Sequence, residues 1–213
     1  EQVTGGRIEP QYVLLESMVS STAKGRSGSQ VPGLLFAGPS GSHIRAEHYV
    51  DTGIPVVMPK DLVDNGIAEE NIRHITEQHA DRLPRFRLRA RDVVLARRGE
   101  LGRCAVVQDF QEGWVCGTGC FVLRPPDKLD PEYFAAYLRS PEVRKWLESR
   151  STGSMTMKTI PLDVLSKLPI RLPQLETQRA MLTRTRDEWL DVFTAEHGDC
   201  AEVWAIELSS YQT

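Results

Sequence analysis

Strand-forming runs fill roughly the first 125 residues of this chain and helix-forming ones follow, with no alternation between the two. That order argues against a parallel sheet built from βαβ units. It predicts an α+β domain, strand-rich first, followed by a helical appendage. Residues 92–98 (DVVLARR), 103–107 (RCAVV) and 120–125 (CFVLRP) are rich in β-branched and apolar side chains, which suit a pleated surface. Gly99-Glu100-Leu101-Gly102 separates the first two, which predicts a hairpin. Earlier, a short strand ending at Ala37 runs into a Gly38-Pro39-Ser40-Gly41 turn. A second strand at Ile54–Met58 leads through Pro59-Lys60-Asp61 to an Asn65-Gly66 turn. Residues 70–83 read as a strand and a short polar helix. Tyr12 to Val19 is a short apolar segment, helix or strand, and the Ser/Gly-rich stretch 20–33 reads as a mobile loop.

The character changes after Pro125-Pro126. Asp130 is placed to cap a helix that begins at Pro131 and carries apolar residues at 134, 137 and 138. Pro141 opens a second helix with Val143, Trp146 and Leu147. Residues 152–160 read as loop, and 161–173 as a short helix followed by a strand. From Leu175 the pattern is helical to about Glu196, with Leu182, Trp189, Val192 and Phe193 forming an apolar stripe. His197-Gly198-Asp199 interrupts it before a further helix over 201–211, which carries Trp204 and Leu208. The expected division is a domain at 1–173 and a helical spacer at 174–213.

The formal net charge of -3 hides an asymmetry. Nine arginines between Arg73 and Arg103 face only Glu77, Asp81, Asp92 and Glu100. From Gln174 onward three arginines face eight acidic residues. A basic middle and an acidic tail are either two solvated faces or two surfaces with different partners. Cys104, Cys116, Cys120 and Cys200 lack the two paired clusters of a zinc site, so no metal is expected and buried thiols in a reducing compartment are the better reading. No apolar run spans a membrane and no basic-then-apolar leader opens the sequence, which points to the cytoplasm. Catalytic motifs are missing too. Residues 38–45 (GPSGSHIR) lack the Gly-Lys-Ser/Thr ending of a phosphate loop, and no serine sits in G-x-S-x-G. No G-x-G-x-x-G follows a strand, and the Asn-Pro-Pro-aromatic tetrad of amino-methyltransferases is absent. The expectation is a binder without cofactor rather than an enzyme.

Four blocks then stand in order: 37–67, with its Gly-Pro-x-Gly-Ser turn, Gly-Ile-Pro-Val strand and Lys-Asp loop; 92–107, with R-x-G-x-x-G-R at the hairpin; 118–125 (TGCFVLRP); and 133–179, ending in L-x-x-L-P-I-x-L-P and a Glu-x-Gln-Arg helix start. With these blocks the chain resembles the target recognition domain of the specificity subunit of type I restriction–modification systems, over roughly residues 37–195. The resemblance implies a non-catalytic reader of double-stranded DNA. It would dock a modification methyltransferase, and with it a restriction translocase, on a short half-site for adenine methylation. The methyltransferase would bring S-adenosylmethionine. A typical specificity subunit has two recognition domains and two spacers, whereas this chain has one of each. It is then either a half-subunit that dimerises through its C-terminal helices or a domain of a longer polypeptide, such as one fused behind an adenine methyltransferase. An interaction scaffold that has lost DNA binding is the rival from another class.

Within that frame Arg97, Arg98 and Arg103 at the hairpin tip suit phosphates or guanine edges, since guanidinium groups bind both bidentately. Because Arg97 and Arg98 alternate on a strand, one of the two faces sheet or solvent. Neither is expected to support the apolar face. Glu100 either accepts from a cytosine amine or pairs with Arg97 or Arg103. Ser40, Ser42 and His43 lie in a turn that donates to phosphate or is merely structural. Lys60 is a phosphate contact or a solvated lysine. Ser154, Thr156 and Lys158 form a polar loop with DNA contacts, or a cap and a surface lysine. Thr118, Gly119, Met155 and Met157 are read as packing. Leu182, Trp189, Val192 and Phe193 are the expected partner-binding stripe.

Overall fold

A computed structural model describes residues 12–15, 18, 35–63, 66–154 and 157–182. The strands are β1 (Tyr12–Leu14), β2 (Leu35–Ala37), β3 (Tyr49–Val50), β4 (Ile54–Val57), β5 (Leu62–Val63), β6 (Gly66–Ile67) and β7 (Arg73–Ile75), after which comes helix α1 (Glu77–Asp81). Then come β8 (Val93–Ala96), β9 (Cys104–Val106), β10 (Val115–Cys116) and β11 (Cys120–Leu123). Helices α2 (Pro131–Arg139) and α3 (Pro141–Ser149) lead to β12 (Thr152–Ser154), β13 (Met157–Thr159), α4 (Leu162–Ser166), β14 (Pro169–Arg171) and α5 (Leu175–Leu182). The α+β expectation holds. The order of strands before helices is, however, knitted together by distant pairings: β1 is antiparallel to β14, and β10 is parallel to β4.

A central sheet of order β2-β11-β8-β9 carries the predicted hairpin, with Leu95 opposite Cys104 and Val93 opposite Val106. Every residue of β8, β9 and β11 is buried, because both faces of this sheet are covered. On one face Val93, Leu95, Phe121 and Leu123 pack with Tyr133, Phe134 and Leu138 of α2. On the other, Val94, Ala96 and Val122 pack with Phe36, Val57 and Cys116. These strands therefore read as continuous apolar runs rather than alternating ones. The second sheet, β10-β4-β7-β3, turns its far face to α1, with Val56, Ile75 and Val115 against Ala80 and Leu83.

The helices start where the sequence puts them. Asp130 Oδ1 accepts from the Glu132 and Tyr133 amides at 3.0 and 3.3 Å, and Ser140 Oγ accepts from the Val143 amide at 3.3 Å. Tyr137 turns its hydroxyl to the Pro169 carbonyl at 2.7 Å, tying α2 to β14. Gln178 of α5 is fully buried. Its amide nitrogen donates to the Lys128 and Pro173 carbonyls and its oxygen accepts from the Asp130 amide. This side chain fixes α5 against the start of α2, and Met181 joins the same core. Residues 20–33 and 183–213, with the expected mobile loop and later helices, lie outside the described residues. Among the described residues no helix is long and apolar enough to cross a membrane.

One element differs from expectation. Residues 152–159, read as loop, form an antiparallel ribbon in which Thr152 faces Thr159 and Ser154 faces Met157. The ribbon has no apolar alternation of its own. Its outer edge is instead held by the arginine segment: Arg98 bridges Thr159, the Gly99 amide donates to the Lys158 carbonyl, and the Ile160 amide donates to the Arg97 carbonyl.

Candidate functional site

The loop between β10 and β11, Gly117-Thr118-Gly119, is the point where the separate blocks meet. The Gly117 amide donates to the Val57 carbonyl at 2.8 Å, drawing in the end of β4 and the Pro59-Lys60-Asp61 turn. A Cβ on Gly38 would lie 2.2 Å from the Gly117 carbonyl oxygen, so the Gly38–His43 turn sits directly on this loop. Gly119, at φ +90°, has Pro59 Cγ and Arg98 Cδ 3.2 and 3.7 Å from where its Cβ would be. Only glycine combines that backbone conformation with that close approach. Gly119 thus does the packing expected of it, and that packing brings Pro59 and Arg98 to one loop. Below the loop, Cys116 and Cys120 are buried thiols whose Sγ atoms approach the Gly117 and Val57 carbonyls. A hydrogen bond with Cys116, together with burial, pushes the Cys120 thiol up. Among the described residues no group of three or more His, Cys, Asp or Glu side chains is placed to hold a metal.

The three hairpin arginines have different fates. Arg98 is exposed and its guanidinium has no ion-pair partner among the described residues. Arg97 is half-buried, its guanidinium 5.6 Å from the centre of the Phe121 ring, and its Nε is buried with no acceptor. It supports the sheet face that the sequence leaves to apolar residues alone. Arg103 folds back to the Leu62 carbonyl and lies 3.9 Å from Glu100. Glu100 sits between Arg103 and Arg144 of α3, the latter at 3.7 Å. Its carboxylate is therefore engaged with two cations, one of which the sequence does not associate with the hairpin. Arg144 also lies under the tip: its Cγ would be 2.7 Å from a Cβ on Gly102.

Beside Arg98 stands the β12–β13 ribbon. Ser154 Oγ accepts from the Met157 amide at 3.2 Å, closing the ribbon, and Lys158 pairs with Glu148 of α3 at 3.8 Å. Met157, read as packing from the sequence, is 59% exposed. Thr156 and Met155 lie outside the described residues. On the other side, Ser40 Oγ stands 2.7 Å from both Ser42 Oγ and His43 Nδ1, all three residues being exposed. His79 of α1 hydrogen-bonds the His43 carbonyl through Nε2 at 2.8 Å and holds that turn from behind. Lys60 donates to the Asn71 carbonyl at 3.2 Å and lies 3.3 Å from the buried Asp61, whose Oδ2 caps the Met58 amide. Lys60 is thus a tethered cation with an exposed side chain. Of the expected partner stripe, Leu182 ends α5 at 40% exposure, and Trp189, Val192 and Phe193, with Trp204 and Leu208, lie outside the described residues.

The basic run is also thinned by internal pairing. Arg87 binds Glu77 and Asp81, at 2.5 and 3.0 Å, and the Gly113 carbonyl at 2.7 Å. Arg124 grips buried Asp92 through two 2.7 Å bonds. Arg98, Lys60, Ser40, Ser42 and His43 are exposed, and the contacts of the Gly117–Gly119 loop and of the Arg97–Gly99 backbone join their segments and the ribbon into one rim. Donors in that arrangement suit phosphate oxygens and base edges.

Residues 40–184 match the family model for the type I restriction modification DNA specificity domain. The chain belongs to that family. The matched region of the specificity domain contains every residue of the rim, from Ser40 to Lys158, and extends through α5. Among solved structures the specificity domain is similar to the HsdS subunit from Thermoanaerobacter tengcongensis, at 21% identity and a TM-score of 0.52, covering 92% of this chain and 48% of that one. It is also similar to the S subunit of a type I restriction–modification system from M. genitalium, at 16% identity and a TM-score of 0.51, covering 97% and 44%. These likenesses concern the fold. The specificity domain spans less than half the length of either chain. No curated protein matches it.

Proposed function

We propose that this specificity domain reads one half-site of double-stranded DNA and directs a modification methyltransferase to it, contributing recognition and no catalytic group. The observation that carries this reading is the Gly117-Thr118-Gly119 loop, which packs against Pro59 and Arg98 and against Gly38 at once. Four sequence-distant segments thereby present Arg98, Lys60, the Ser40–His43 turn and the β12–β13 ribbon on one rim. An antiparallel ribbon and an exposed guanidinium are both elements that fit a major groove. Residues 1–173 form the reading domain, and 174–213 the helical spacer that holds the methyltransferase and, through it, the translocase. Because one domain covers one half-site, a second recognition domain completes a bipartite target, either in a second copy paired through the C-terminal helices or elsewhere in a longer chain. The complex works in the cytoplasm, where its DNA is.

A salt titration tests this. Duplex binding by the chain, with its methyltransferase present, should weaken with salt at a slope near -0.9 per phosphate contact. It should also exceed binding to scrambled duplex. Salt-independent or sequence-blind binding would favour the scaffold reading. Methyl transfer by the isolated chain would overturn the non-catalytic role.

A further inference from the structure

At the other end of the central sheet lies a cavity of about 250 Å³, walled by Arg85, Arg87, Arg89, Arg124, Glu112 and Gly113 among others. Strands β8 and β11 are four residues long and antiparallel, with Arg98 and Gly119 beyond one end and Asp92 and Arg124 beyond the other. The cavity is therefore separated from the rim by roughly 15 Å along the strands. We propose that it is a binding site for a phosphate-class oxyanion.

The argument rests on where the hydrogen-bond donors are left. Arg124 is held rigidly: Asp92 takes its Nε and Nη2, and its guanidinium lies 5.8 Å from the centre of the Phe36 ring. Its remaining nitrogen, Nη1, is buried without a hydrogen-bond partner. Buried donors are nearly always satisfied, so Nη1 adds an unspent donor to the wall of the cavity. Arg87 is likewise fixed, by Glu77, Asp81 and the Gly113 carbonyl. Arg85 and Arg89 are exposed and have no ion pair among the described residues, although Arg85 rests near the Phe36 ring at 5.9 Å. The carboxylates that balance this cluster, Glu77, Asp81 and Asp92, are already engaged with Arg87 and Arg124. Glu112 is the one acidic group in the cavity wall and makes no ion pair with a described residue. Two pinned guanidiniums at the back and two free ones in front form a preorganised set of donors. Guanidinium groups match the oxygens of a tetrahedral phosphate in pairs, and the volume admits one such group.

The phosphate comes either from a soluble ester or from the backbone of a DNA duplex, and the two are separated by competition. The full chain is titrated with inorganic phosphate against chloride at matched ionic strength, followed by melting temperature and calorimetry. Saturable, phosphate-specific stabilisation is expected. The Arg85→Ala/Arg89→Ala variant should bind roughly tenfold or more weakly, as fits the loss of charge-assisted bonds. Glu112→Gln should bind more tightly, an opposite change that unfolding cannot mimic. Arg98→Ala should bind phosphate normally. If a duplex displaces phosphate and Arg85→Ala/Arg89→Ala lowers the salt slope of DNA binding, the site takes a backbone phosphate. If the duplex and phosphate bind together, it takes a soluble ester. Absence of phosphate-specific stabilisation, or its loss in Arg98→Ala alone, overturns the proposal.

Discussion

Replacing Arg97 and Arg98 one at a time should separate folding from reading at the hairpin. The Arg98 side chain is exposed: its stem rests near Gly119, its guanidinium has no ion-pair partner among the described residues, and its backbone makes the bridge to Thr159. Arg98→Ala therefore removes little packed surface, and stability should stay within about 0.5 kcal/mol of wild type. A lost bidentate base contact should weaken DNA binding by about 1–3 kcal/mol. A lost phosphate contact should instead reduce the salt slope by about 0.9. Arg97 behaves differently because its guanidinium stands 5.6 Å from the Phe121 ring centre. Truncation loses a cation–π contact of about 0.5–2 kcal/mol and the packing of the stem. Part of this is offset, because its buried Nε has no acceptor to lose. Arg97→Ala should then cost about 1–2 kcal/mol of stability, and Arg97→Met, which keeps the stem and drops the orphan donor, under about 1. Urea unfolding gives the stabilities. Fluorescence anisotropy on a duplex, with the methyltransferase present and at several salt concentrations, gives the affinities. Wild-type affinity in Arg98→Ala together with weakened binding in a stable Arg97→Ala would refute this assignment.

Met157 exposes an apolar side chain on the ribbon, suited to a thymine methyl group. Met157→Ala should leave stability within about 0.5 kcal/mol and shift the bases selected from random duplexes at one or two positions; an unchanged selection would refute a reading role. Gln178→Ala strips partners from three backbone groups and should cost about 2–4 kcal/mol in urea, whereas a loss below about 1 would mean that α5 does not fold cooperatively with α2. Burial pushes the Cys104 thiol up to about 12 from 9.0, opposed weakly by Arg139 and Arg144. Above pH 9.0 the unfolded chain has released this proton and the folded chain has not, so stability should fall as pH rises towards 12. Cys104→Ala should lack that component, and an identical alkaline slope in both proteins would contradict it.

What the sequence determined by itself lies within single segments. The apolar runs at Val93–Ala96, Cys104–Val106 and Cys120–Leu123, the glycine-flanked turn between the first two, and the Asp130 and Ser140 caps are set by local propensity and short-range hydrogen bonds. The four blocks carried the family resemblance because their order survives in one dimension. The roles of individual polar residues depended on contacts that span dozens of positions. Arg97 and Arg98 are adjacent and chemically identical, yet the pleat turns one to Phe121 and the other to solvent. Glu100 is claimed by Arg144, 44 residues on, and Gln178 looks like a surface glutamine until it meets the start of α2. The β12–β13 ribbon lacks the alternation that marks a strand, and its edge is fixed by backbone hydrogen bonds to Arg97 and Gly99. Backbone pairing of that kind leaves no trace in side-chain pattern. Only the closed tertiary structure, by bringing Gly119 against Pro59 and Arg98, decides which cations share a surface.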